Sequence, residues 1–122
     1  MTNFVGRYRQ EVERLVHAVL ATAGDTRPSL RRAVEERAAA VGGCTAAPAD
    51  ETLPAAVEHY VSKVALHAYK VTEADVATLR DAGYSEDAIF EITLSAAMGA
   101  ALGRLARGLG ALRGARYETQ NG

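Results

Sequence analysis

Tyr60, Lys63 and His67 stand at positions i, i+3 and i+7 of one helical stretch, so a phenol, an ammonium and an imidazole share a face. Asp75 follows across the next turn and can approach His67 there. A histidine oriented by a carboxylate can act as a general base, and a lysine beside it can hold an anionic substrate. The same four residues also read as a solvated polar stripe, with Asp75 capping the helix that follows. The solvated stripe is the preferred reading, and the four residues are the candidate catalytic set.

Other chemistry is less well supplied. His59 and His67 lie roughly 80° apart around a helix, not at the i, i+4 spacing of helical metal sites, and His17 belongs to another helix. No metal and no cofactor is expected. The single cysteine, Cys44, excludes an intrachain disulfide, and no basic neighbour lowers its pKa. Arg104, Arg107, Arg113 and Arg116 form a basic tail, which complements the C-terminal end of a helix dipole. Nucleic-acid binding is not expected. The net charge is −1, and the one segment with a helix-turn-helix look carries Glu86, Asp87 and Glu91 where phosphates would lie.

These residues must be positioned by helices. Tyr8, Val12, Leu15, Val16, Val19 and Leu20 recur at helical spacing between Asn3 and Ala23, and Gly24 is a natural stop. Thr26 and Pro28 open a second helix, with Leu30, Val34 and Val41 inward and Arg31, Arg32, Glu35 and Glu36 facing water. Small and polar residues from Gly42 through Thr52 form a linker. A third helix begins near Pro54 and buries Val57, Tyr60, Val61, Val64 and Ala68. A fourth is capped by Thr72 and Asp75 and ends at Gly83.

Ser85 opens a fifth helix reaching about Leu112, with Leu94, Met98, Ala101, Leu105, Leu109 and Leu112 as its inward seam. Ser95, Gly99 and Gly103 recur every four residues on the same helix, and Gly110 and Gly114 extend the pattern. Glycine weakens a helix interior by up to ~1 kcal/mol relative to alanine, so the stripe implies close approach by a neighbouring helix or a ligand. No alternating pattern competes, and an all-α fold is expected.

The segment from Tyr69 to Leu109 resembles the alkylhydroperoxidase D-like/carboxymuconolactone decarboxylase family. The likeness lies in Asp81-Ala82-Gly83-Tyr84-Ser85-Glu86-Asp87-Ala88-Ile89, and in the small residues of Ser95-Ala96-Ala97-Met98-Gly99-Ala100-Ala101-Leu102. The resemblance implies an orthogonal helical bundle of about five helices and a symmetric trimer or hexamer, a dimer being the smaller alternative. It places the family's C-x-x-C-x-x-x-H centre on Ala68, Val71 and Asp75, so neither thiol is present. The upstream glutamate falls near Ala56, with Glu58 the closest carboxylate. Peroxide reduction needs a nucleophilic and a resolving thiol, and these positions offer neither.

The expected organisation is a helical hairpin arm over 1–43, a linker over 44–52, the alkylhydroperoxidase D-like core over 53–114 and a tail over 115–122. The expected protein is cytoplasmic, since charges interrupt any leader-like run near the N-terminus and apolar runs are shorter than a bilayer requires, and the resemblance implies that it is homo-oligomeric. Its expected role is non-redox: binding, scaffolding or accessory, with a small-molecule or protein partner. The alternative is a small acid–base enzyme, decarboxylase-like or lyase-like, acting on a small anionic substrate.

Overall fold

A computed structural model of the chain describes residues 9–41 and 52–121, with side chains over 10–41 and 52–114. Five α-helices and no strand occur among the described residues: α1 Arg9–Leu20, α2 Pro28–Val41, α3 Ala55–His67, α4 Glu73–Asp81 and α5 Glu86–Asn121. A 3-10 turn, Ala68–Lys70, joins α3 to α4. The protein is an all-α bundle. Tyr8, Cys44 and most of the expected linker lie outside the described residues.

Local chemistry sets the boundaries. Thr72 and Asp75 form a capping box at the start of α4, where the Thr72 N–H donates to Asp75 Oδ2 at 2.8 Å. Gly83, at φ 101°, closes α4: its N–H donates to Arg80 O at 3.0 Å, and the Tyr84 N–H to Leu79 O at 3.2 Å. That pair of bonds is a Schellman motif, which needs a left-handed residue and so favours glycine. Ser85 then caps α5, its Oγ accepting from the Ala88 N–H at 3.0 Å.

The core joins α2, α3, α4 and α5. Leu30, Val34 and Ala38 of α2 meet Val57, Tyr60, Val61 and Ala65 of α3, Leu79 of α4, and Ile89, Ile92, Ala96 and Ala100 of α5. The second helix of the expected hairpin arm is therefore central to the core, and α2 and α5 share the most extensive helix contact. Only α1 lies to one side, in a smaller cluster of Val19 and Leu20 with Met98. Leu15 is 58% exposed rather than inward. Ala68, expected to be buried, opens the 3-10 turn and is exposed.

The glycine stripe accounts for the α2–α5 contact. A Cβ on Gly99 would collide with the Glu35 carbonyl oxygen, and one on Gly103 would stand 2.5 Å from Ala39 O. The close approach is thus internal to the chain. It reverses the expected seam: of the six inward residues, Met98 and Leu109 are buried, while Leu94, Ala101, Leu105 and Leu112 are exposed. α5 carries apolar residues on two opposite sides. Helices crossing this closely exclude leucine from the contact, so α2 takes the small-residue side and the leucines face outward. By length and composition, the stretch Glu86–Gly114 could also cross a bilayer, contrary to the apolar-run expectation; half of its most apolar window is buried within the protein.

Candidate functional site

α3 and α4 bring together two of the four candidate catalytic residues. Lys63 Nζ stands 2.8 Å from Asp75 Oδ2, which also accepts from the Thr72 N–H at 2.8 Å and Thr72 Oγ1 at 3.2 Å. The Lys63 hydrogen bond first, and then the Thr72 N–H, hold the Asp75 carboxyl below its ordinary pKa of 3.8. A carboxylate so depressed is a poor base and a good anchor for two helices.

Tyr60 is turned inward, 4% exposed, with its hydroxyl 2.7 Å from Thr93 Oγ1. Thr93 Oγ1 donates to Ile89 O at 2.7 Å, so the phenol is the donor in the Tyr60–Thr93 bond. His67 is exposed at the end of α3, with its ring edge-on to Tyr69 at a centroid distance of 6.1 Å. The bonds drawn to Asp75 come from Lys63 and Thr72, so the expected His67–Asp75 pair is replaced by Lys63–Asp75. None of the three surface cavities described below and at the start of α4 is lined by Tyr60, Lys63, His67 or Asp75.

A second polar cluster forms where the sequence suggested none. The Glu91 carboxylate of α5 lies inside the turn between α1 and α2. Its Oε2 accepts from the Asp25 N–H at 2.8 Å, and its Oε1 from the Thr26 N–H at 3.0 Å and Thr26 Oγ1 at 2.6 Å. A Cβ on Gly24 would stand 2.6 Å from Glu91 Oε1, which explains the glycine there as more than a helix stop.

Arg31, expected to face water, is 3% exposed. Its guanidinium donates to Val19 O at 2.6 Å in the last turn of α1 and to Thr22 O just beyond it, while Nε lies 3.7 Å from Glu91 Oε1. A cation there complements the α1 dipole. Partial burial pushes the Glu91 pKa up, but the Thr26 hydroxyl, the Asp25 and Thr26 N–H groups and the Arg31 charge outweigh it, leaving the carboxyl below its ordinary value. The sequence signal was present: Glu91 is the only charged residue between Asp87 and Arg104. A cavity of about 310 Å³ adjoins the cluster, with Phe90 and Leu94 on its outer wall.

The third feature is a groove of about 490 Å³ between α1, α2 and α5. Val12, Val16, Leu20, Leu102 and Ala106 supply its apolar lining, and Glu35 its half-buried acid. Burial first, and then the neighbouring Glu36 charge, raise the Glu35 carboxyl above its ordinary value, against the opposing charge of Arg32. The volume falls in the range of small-molecule sites. Glu35 also contributes the backbone that meets Gly99, so the glycine contact fixes the helix segment that holds the acid.

Of the basic tail, Arg104 reaches back to the carbonyl of Ala65 near the C-terminal end of α3. Among the described residues no three His, Cys, Asp or Glu side chains gather closely enough to hold a metal ion. Comparison with family models, curated proteins and solved structures found no match.

Proposed function

We propose that the chain is a non-redox binding and scaffolding protein, similar to the alkylhydroperoxidase D-like family in its second half, that acts as a homo-oligomer in the cytoplasm. The observation that carries this reading is the outer side of α5. Phe90, Leu94, Leu105 and Leu112 are 66%, 41%, 37% and 55% exposed along one helix whose opposite side is already packed. An exposed apolar strip of that length on a monomer marks an association surface.

The turn that supports the resemblance, Gly83 through Ser85, directs the chain from α4 into α5 and so places this strip. Ala68 and Val71, at the positions the resemblance assigns to cysteine, open and follow the 3-10 turn and can form no thiolate.

Light scattering over a micromolar concentration series tests the reading. A mass that is a multiple of the chain's is expected; a monomer across the whole series overturns it.

The acid–base alternative draws its support from one observation, the raised carboxyl of Glu35 in the apolar groove. A carboxyl whose proton is held more tightly than usual, beside an apolar groove, is suited to proton exchange with a bound ligand.

A further inference from the structure

We propose that the outer strip of α5 pairs with the same strip of a second copy, antiparallel, with the two-fold axis passing beside Ala101. The proposal rests on the association reading above and specifies its partner and geometry.

On a helix with a 100° step, residues 90, 94, 97, 101, 105, 108 and 112 fall within roughly 40° of a single line. All seven are exposed: Phe90, Leu94, Ala97, Ala101, Leu105, Gly108 and Leu112. Their spacing runs four, three, four, then four, three, four, a heptad-like pattern with one stutter centred on Ala101 that reads the same in both directions.

The strip is complementary to itself when reversed. A two-fold axis at Ala101 sets Phe90 against Leu112, Leu94 against Gly108, and Ala97 against Leu105, while Ala101 meets its own copy. Leu94 faces a residue with no side chain and Leu105 one with a methyl, so large groups enter the spaces that small ones leave. An isologous contact requires this reciprocity.

Two further observations select the second copy and the antiparallel sense. Gly99 and Gly103 have a partner within the chain, but a Cβ on Gly108 would meet nothing within 4 Å. Gly110 and Gly114 are equally open, but Gly108 alone of the three lies on the strip, where a partner's Leu94 would fill the space above it. Charge then sets direction: α5 begins with Glu86 and Asp87 and carries Arg104, Arg107 and Arg113 in its later turns. With the axis at Ala101, antiparallel pairing sets Arg113 opposite Ile89, close to the acidic start of the second copy, whereas parallel pairing stacks like on like. Lipid is a poorer cover, because the strip is narrow and α2 and α3 occupy the other side of the helix.

Cysteine cross-linking in the full chain, in a Cys44→Ser background, tests the geometry beside light scattering. Ala101→Cys, Leu94→Cys and Gly108→Cys each alter an exposed position and leave the core intact. On mild oxidation, Ala101→Cys is expected to give a disulfide-linked dimer, since residues at the axis approach within disulfide range. Leu94→Cys and Gly108→Cys are each expected to stay uncross-linked alone and to link when mixed.

Self-linking of Leu94→Cys and of Gly108→Cys would mean a parallel pair and would overturn the geometry. A dimer by light scattering with no cross-link at any of the three positions would place the interface elsewhere and overturn the proposal while sparing the association reading. A monomer at every concentration would overturn both. A monomer that co-sediments with phosphatidylcholine–phosphatidylglycerol vesicles would assign the strip to lipid instead.

Discussion

Glu91 Oε1 accepts a 2.6 Å hydrogen bond from Thr26 Oγ1, joining α5 to the α1–α2 turn across 65 positions of sequence. The same carboxylate holds the Asp25 and Thr26 N–H groups and faces Arg31, so one acid organises the entry to α2.

Glu91→Gln should therefore destabilise the fold by about 1–3 kcal/mol at neutral pH, because the Thr26 and Asp25 hydrogen bonds lose their charged acceptor and Arg31 loses a nearby counter-charge. The folded-state pKa of Glu91 lies below 4.5, so its contribution is present above the unfolded-state value and is lost as pH falls through the folded one. Urea unfolding of both proteins at several pH values should show the gap between them closing on acidification. A gap that is unchanged with pH would mean that the charge of Glu91 is not what matters.

Glu35 should behave in the opposite sense. Its folded-state carboxyl is raised, so ionisation at neutral pH opposes folding and protonation relieves the penalty. Glu35→Gln should be neutral to stabilising at pH 7, by less than ~1 kcal/mol, with the gain fading as pH falls. Thermal melts at matched pH read the effect. A clear loss of stability at pH 7 would show that the ionised carboxylate has a favourable partner.

The glycines divide into two classes. Gly99→Leu and Gly103→Leu drive a side chain into the α2 backbone and should cost more than about 3 kcal/mol or prevent folding. Gly110→Ala, in open space, should raise stability by up to ~1 kcal/mol through helix propensity. Circular dichroism melts distinguish them, and equal effects at the two kinds of position would deny the close α2–α5 crossing.

Tyr60→Phe should cost about 1 kcal/mol for the lost bond to Thr93, while His67→Ala should change stability by less than ~0.5 kcal/mol. Denaturant titration of the two variants ranks them. The reverse ranking would mean that His67, not the phenol, is the integrated member of the stripe.

Much of this architecture is legible in sequence because it depends on neighbours a few residues apart. The capping box of Thr72 and Asp75, the glycine turn at Gly83 and the buried stripe Val57, Tyr60 and Val61 all follow from helical spacing and local hydrogen bonding. The same reasoning found that Gly99 and Gly103 require a close neighbour, which the α2 backbone provides, while Gly110 and Gly114, read as extending the stripe, meet nothing within 4 Å.

Tertiary structure decided which of two apolar sides of α5 turns inward. Periodicity marks both sides, and only the distance at which α2 crosses selects glycine over leucine. It also decided the partners of the charged residues. Asp75 lies within reach of His67 or Lys63 by helical geometry, yet the packing of α4 on α3 gives it Lys63. Arg31 carries the charge of a surface residue but is buried, because α1 and the turn after it present the Val19 and Thr22 carbonyls to its guanidinium. Spacing along one helix determines which residues share a face; what that face meets depends on the fold of the whole chain.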